Sequence, residues 1–385
     1  MSPDSLETST CLERLKALKA GSRLGAKDSS LFAGISGAAE HASGFMGWTD
    51  LSSNPPLSVE EIAAIADGIR ADGLEAVVLL GQGGSSQASM TITKLNEVST
   101  GRRDALAGDF VDALFSNRMQ AVSVNDSDSS LDNVKSLNST SSGIKHAKDA
   151  VTNNFASGVF STKKTPEVSF RTMDSLSPVF VNHILGASDP ARTLYIVSSK
   201  SGSTIEPLML ERVVWRYVTG HLGTAGAGKR FVAITDPGSS LEQHAAQRGY
   251  RLVLNSPKSV GGRFSALTVF ALFPAALIGI DIISAIKHVS ATEAACRKDD
   301  DANPASKLAC FIYSNYLNGR DKLSFVMPSS GQVFGLWLEQ LVAESLGKMG
   351  IGILPNVEVD ASILSVARND RCVITYELGR VEGFH

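Results

Sequence analysis

The segment Ala76-Val77-Val78-Leu79-Leu80-Gly81-Gln82-Gly83-Gly84-Ser85-Ser86 joins an unbroken apolar run to a glycine-rich turn. Apolar residues without polar alternation predict a strand buried on both faces, as in a parallel sheet covered by helices. Glycines directly after it let the backbone turn sharply and approach a bound anion. The first turn of an ensuing helix would present N–H donors to that anion. Upstream, Val59 to Ala71 carries apolar residues at helical spacing, with Ser58 as N-cap and Glu61 three positions on. Pro55-Pro56 separates this unit from residues 1–54, which read as helical and loop material of weak periodicity.

The same alternation returns downstream. Thr193 to Ser198 reads as a strand, Ser199 to Thr204 as a loop, and Ile205 to about Val218 as a helix. Strands over Phe231 to Thr235 and Leu252 to Leu254 flank a helix over Ser240 to Arg248. Beyond the charged break at Arg297 to Asp301, strands over Leu323 to Met327 and Arg371 to Tyr376 enclose a helix over Gln332 to Leu346. Phe334, Leu338, Leu341 and Val342 form the apolar side of that helix. Repeated strand–loop–helix units predict an α/β fold of doubly wound parallel sheets with helices on both faces. Ser99 to Thr165 interrupts the pattern. Rich in Ser, Asn, Asp and Lys, it reads as a surface insertion with room for a helix and a short strand between Phe110 and Val124. The expected organisation is an N-terminal region over 1–54, a first α/β domain over 55–290 carrying the insertion at 99–165, and a partial second domain over 300–385.

A second loop, Ser199-Lys200-Ser201-Gly202-Ser203-Thr204, sets several hydroxyls around one glycine. Taken alone, the first loop reads more readily as a tight turn and the second as helix capping. As a pair following two strands of one sheet they point to an anion such as phosphate, because ligands of open α/β sheets sit beyond the strand C-termini. Neither is a Walker A or dinucleotide fingerprint: Gly-Lys-Ser/Thr is missing, and so is the spacing of a third glycine.

Composition narrows the function classes. The chain has 385 residues, 43% hydrophobic and 19% charged, with 34 glycines and 6% aromatics. That suits two or three globular domains rather than a disordered chain or a coiled coil. Lys+Arg 36 against Asp+Glu 39 gives a net charge of -3, with no basic excess for a nucleic-acid backbone. An anionic ligand must therefore be met by a local site. Cys11, Cys296, Cys310 and Cys372 lack CxxC spacing and the seven histidines form no HxH or HxxxH pair, so a reduced chain without a metal site is expected. Asp4, Glu7 and Glu13 precede any apolar run, unlike a signal peptide, and a cytoplasmic location is expected. Leu267 to Ile286 has the length of a membrane span but contains Pro274, Gly279 and Asp281, so it reads as a buried core helix.

Four motifs, in order, resemble those of the glucose-6-phosphate isomerases, which are built from sugar isomerase (SIS) domains of flavodoxin-like layering. Leu79 to Ser86 is similar to the first phosphate loop of that family, and Val197 to Pro207 to its second. Val260-Gly261-Gly262-Arg263-Phe264-Ser265 resembles its arginine loop, and Trp337 to Lys348 its catalytic-base helix. Ala26-Lys27-Asp28 and Gly47-Trp48-Thr49-Asp50 further resemble the isomerase half of bifunctional transaldolase–isomerase chains. The resemblance covers most of 20–98 and 167–376. It implies interconversion of glucose 6-phosphate and fructose 6-phosphate in glycolysis and gluconeogenesis, through a cis-enediol, without metal or organic cofactor, in a homodimer. By the same resemblance Ser85, Ser199, Ser201 and Thr204 are phosphate ligands, and Gly84 and Lys200 give main-chain donors. Arg263 stabilises the enediol charge, Glu344 is the base and Gln340 contacts substrate. Gln340 and Glu344 are i, i+4 and share a helix face. Partial burial there would raise the Glu344 carboxyl toward a working pH.

The sequence departs from the family in three places. The 99–165 insertion is extra, and Gln87-Ala88 replaces a usual Leu-Gly-like continuation. The family's C-terminal Asp-Gln pair with its catalytic lysine, and its ring-opening histidine, find no match up to His385. The second SIS unit is thus expected to be incomplete, with an unpaired edge at its last strand. The alternative function is a catalytically impaired sugar-phosphate-binding SIS protein, a truncated paralogue or regulatory module.

Overall fold

The computed structural model describes residues 3–99, 119–122, 168–327, 331–348, 350–358 and 369–376. Apart from Ser99 and Met119–Val122, the insertion lies outside the described residues. Two units divide the chain: Arg14–Lys94 with Thr162–Asn303, and Met1–Glu13 with Leu95–Ser161 and Pro304–His385.

The N-terminal region forms α1 (Pro3–Ala17), α2 (Ala20–Gly25) and α3 (Ala38–Ser43), with 3-10 turns at Ser29–Phe32 and Gly47–Asp50. Then α4 (Val59–Ala71) leads into β1 (Ala76–Gly81), and α5 (Gly84–Ser99) follows it. The short β2 (Met119–Val122) belongs to the second sheet. The first unit resumes with β3 (Ser169–Met173), α6 (Pro178–Gly186), β4 (Thr193–Ser198), α7 (Ile205–Gly228), β5 (Phe231–Thr235), α8 (Ser240–Gln247) and β6 (Leu252–Asn255). It ends with α9 (Val269–Leu277) and α10 (Ile282–Cys296).

The first sheet is wholly parallel, in the order β3-β1-β4-β5-β6. Strand β1 is flanked on both sides: Val78 faces Arg171 on one neighbour and Tyr195 on the other. Alternate residues feed two layers. Val78, Leu80, Val197 and Phe231 pack with Leu210, Val214 and Val218 of α7 and Leu241 of α8. Val77, Leu79, Ile196 and Ile234 point the other way and are equally buried. Each such side chain contributes about 1.5–3 kcal/mol relative to exposure. Helices α4 and α9 pack against each other.

Local sequence explains the element ends. Ser58 and Glu61 form a reciprocal capping box on α4, at 3.1 Å in each direction. The expected stop of α7 at Val218 is overrun: it reaches Gly228 past a break at Gly223, whose φ of 67° only glycine adopts easily. The apolar stretch from Leu267 is two helices, not one. Every residue of α9 is buried, Gly279 turns the chain, and Asp281 caps α10 by accepting from the Ser284 N–H at 3.0 Å. No described helix is long and apolar enough to cross a membrane. Glu211 of α7 is buried at 1% exposure, accepting from Arg248 Nη1 and Tyr250 Oη at 2.6 Å each. Arg248 also lies 4.5 Å from the Trp215 ring centre.

The second unit holds α11 (Pro304–Leu317), β7 (Lys322–Val326), α12 (Gln332–Leu346), β8 (Leu354–Glu358) and β9 (Arg371–Tyr376). Strands β8, β7 and β9 are parallel, and β2 joins β9 antiparallel. The expected open edge at the last strand is therefore closed by β2, from within the insertion. Strand β8, unread in the sequence because Pro355 sits in it, is an edge strand, where proline is tolerated. Leu323, Phe325, Phe334 and Ile374 form this unit's core, with Leu338 and Val342 packed on it. Burial pushes the Cys310 and Cys372 thiols up to about 12, so both stay protonated.

Urea unfolding should show Ser58→Ala losing about 1 kcal/mol through its cap. Glu211→Ala should lose about 3–5 kcal/mol, because it strands the Arg248 charge. Equal losses for the two would contradict this reading of Glu211.

Candidate functional site

In the first sheet β3 lies on one side of β1, while β4, β5 and β6 wind away on the other. The winding reverses between β1 and β4, and such a reversal opens a crevice at the strand C-termini. Both loops singled out in the sequence leave from those two ends. A pocket of about 330 Å³ lies there, lined by Gln82 and Gly84 of the first loop and Lys200, Ser201 and Thr204 of the second. Asp236, after β5, and Gly262 complete its wall.

The first loop turns at Gly83, with φ of 69°, and α5 starts at once. The N–H groups of Ser86 and Gln87 both donate to the Gly83 carbonyl at 3.0 Å. The two preceding N–H groups, of Gly84 and Ser85, have no intrahelical acceptor by helix geometry. Gly84 is required by close packing: a Cβ there would meet the Arg263 nitrogen at 2.5 Å and the Gly262 carbonyl carbon at 2.7 Å. The first loop is thus seated directly on the arginine loop. The Ser85 side chain lies outside the described residues.

The second loop turns at Gly202, with φ of 70°. Ser201 Oγ accepts from the Ser203 N–H at 3.2 Å and lies 3.5 Å from Thr204 Oγ1. Thr204 occupies the N-cap of α7, yet its side chain makes no capping bond. The capping explanation of this Ser/Thr cluster therefore does not apply to Thr204, whose residue lines the pocket instead. Ser199 is not on the pocket: it is 2% exposed, and its Oγ has no hydrogen-bond partner among the described residues.

Lys200 Nζ donates to both oxygens of Asp236 at 2.7 Å, and more weakly to the Pro257 carbonyl at 3.4 Å. The Asp236 N–H in turn donates to the Lys200 carbonyl at 3.0 Å. Sequence reasoning misses Asp236, although an acidic residue directly after a buried strand at the sheet's C-terminal edge is a legible signal. Its carboxylate and the lysine neutralise each other.

Arg263 lies half-buried in a 3-10 turn over Gly262–Leu267, its guanidinium carbon 5.0 Å from the Phe264 ring centre. Trp48 stacks on that ring at 5.2 Å and 18°. The two short N-terminal motifs are joined by an ion pair of 2.8 Å between Lys27 and Asp50. Hydrogen bonds from Ser30 and then Arg23 hold the Asp28 carboxyl at about 2.

Gln340 and Glu344 belong to the second unit, on α12. Gln340 Nε2 donates to Glu344 Oε2 at 3.3 Å, and Lys348 Nζ donates to the Glu344 carbonyl at 2.9 Å. The expected partial burial of Glu344 is not found, since the residue is exposed.

An open parallel sheet with a crevice at its switch point, where the two loops meet, defines an α/β protein of the sugar isomerase fold. The chain is 36% identical over 181 residues to glucose-6-phosphate isomerase of Prochlorococcus marinus, spanning 46% of this chain and 34% of that one. It is 34% identical over 194 residues to the enzyme of Symbiobacterium thermophilum, spanning 49% of this chain and 43% of that one. The chain thus covers less than half the length of either relative, and it is distantly homologous to both. Among solved structures, glucose-6-phosphate isomerase from Chlamydia trachomatis superposes with a TM-score of 0.57 at 16% identity, covering 93% of this chain and 64% of that one. A hypothetical protein from Thermus thermophilus superposes at 0.63 with 22% identity, covering 93% and 68%. These two establish the shared fold. No family model matches the chain.

Lys200→Met should leave the Asp236 carboxylate unbalanced in the pocket wall and weaken any binding of inorganic phosphate there about tenfold or more by calorimetry. Adding Asp236→Asn should recover much of that loss. If the double variant binds no better than Lys200→Met, the charge-balance account is wrong.

Proposed function

We propose that this chain acts on phosphosugars as an aldose–ketose isomerase, exchanging glucose 6-phosphate and fructose 6-phosphate. The observation that carries the reading is Thr204, a helix N-cap whose side chain makes no cap bond and which lines the switch-point pocket beside Ser201 and Gly84. Such a site suits a phosphate monoester: helix-terminal N–H groups and hydroxyls converge on it, and the local cation is already matched by an anion. The distant homology to glucose-6-phosphate isomerases supports the sugar half of the assignment.

In the proposed reaction a base removes the C2 proton of the open-chain aldose. The C–H electron pair becomes the C1–C2 double bond of a cis-enediol, and negative charge collects on the C1 oxygen. The O2 proton passes to O1, the O2 electron pair forms the C2 carbonyl as the C1–C2 double bond takes up the proton returned to C1 by the base, and the ketose results with no net change in protons. The resemblance assigns the base to Glu344, and Arg263 offers a fixed cation for the oxyanion. A positioned base contributes about 10²–10⁴-fold. An oxyanion donor contributes about 10²–10³-fold.

Fructose 6-phosphate should raise the melting temperature, by the equivalent of about 2.7 kcal/mol at a hundredfold excess over Kd. Ser201→Ala combined with Thr204→Ala should abolish that shift, and no shift in the parent protein would reject the phosphate site. In a coupled isomerase assay, Glu344→Gln should lower kcat by about 100-fold or more while keeping the shift. A parent protein that shows the shift without turnover would instead be the sugar-phosphate-binding protein of the alternative reading.

A further inference from the structure

The Arg263 loop is gripped from outside the sheet by a short N-terminal segment. The Gly47 N–H donates to the Ser259 carbonyl at 3.0 Å. Gly47 has no room for a side chain, because a Cβ would run into the Ser259 side chain and carbonyl. One residue on, Trp48 lies nearly parallel to Phe264, centres 5.2 Å apart and planes 18° apart. That ring sits under the Arg263 guanidinium, at 5.0 Å.

The gripping segment is itself fixed. Asp50 is paired with Lys27 at 2.8 Å. Arg297 donates to the Thr49 carbonyl at 3.2 Å and pairs with Glu293 at 2.6 Å. Glu293 accepts from the Ser52 N–H at 3.0 Å and the Ser52 hydroxyl at 2.6 Å. Yet Trp48 is 38% exposed, so burial alone is a weak reason for a large aromatic at this position. The stack explains it better. An aromatic pair is favourable beyond the area it buries, and so is a cation over a ring. Both act here on the one ring of Phe264.

We propose that Trp48 is a positioning residue: through Phe264 it fixes the Arg263 guanidinium in the orientation used to stabilise the enediol oxyanion. The catalytic half of this inference rests on the isomerase reading, whereas the positioning half stands on the stack alone. An arginine held in one orientation loses no freedom as charge develops, so its benefit appears in the transition state and not in ground-state binding.

The test compares parent protein, Trp48→Ala and Trp48→Phe by steady-state kinetics, and by the rate at which phenylglyoxal modifies Arg263, followed by peptide mass spectrometry. Trp48→Ala should lower kcat about tenfold with KM within about twofold, and should speed Arg263 modification severalfold. Trp48→Phe, which keeps a stacking ring, should restore both. If Trp48→Ala changes neither quantity, or raises KM alone, the positioning role is overturned. If the parent shows no turnover but Trp48→Ala still speeds modification at Arg263, the isomerase reading fails and the positioning of the arginine stands. A loss of kcat that Trp48→Phe does not restore would also reject the stack as its cause.

Discussion

The winding reversal at β1 is the constraint from which the first unit's chemistry follows. Strand β1 lies between β3 and β4, and the chain must leave it in one direction and later return on its other side. Loops that exit β1 and β4 therefore diverge, and a crevice opens between them without any side chain being removed from the core. Two glycines shape its walls. Gly84 allows the arginine loop to press against the first loop, and Gly202 lets the second turn without strain.

Charge is handled locally. In a chain of net charge -3, a phosphate cannot rely on a diffuse basic field. The single lysine of the second loop is tied to Asp236, which leaves the pocket wall close to neutral. On the proposed reading, recognition falls to dipoles and hydroxyls, whose directions are set by the backbone of Gly83 to Ser86 and Ser201 to Thr204.

Much of this was legible in the sequence, for physical reasons that also set the limits. Ala76 to Leu80 and Thr193 to Ser198 were readable because unbroken apolar runs leave few alternatives to a doubly covered strand, and both strands stand where expected. Helix α4 was readable from its capping box. Strand β8 was not, because Leu354-Pro355-Asn356-Val357-Glu358 owes its place to pairing with β7 rather than to its own propensity. The β2–β9 pairing was equally hidden, since Met119 and Tyr376 are brought together only by the tertiary fold. In the site, Ser201, Thr204, Gly84 and Lys200 follow from local sequence, and the structure brings them to one pocket. Asp236 and Trp48 depend on loops meeting in space. Ser199, indistinguishable in sequence from its neighbours, is turned inward by the hydrogen bond from its N–H to the Ile234 carbonyl that extends the sheet, at 3.1 Å.

The most direct test is a crystal structure of the protein with fructose 6-phosphate. The account predicts the phosphate at the switch point, within hydrogen-bonding reach of the Gly84 N–H, Ser201 Oγ and Thr204 Oγ1, with the Lys200–Asp236 pair intact. A phosphate bound elsewhere on the chain, or an empty crevice at saturating ligand, would contradict it.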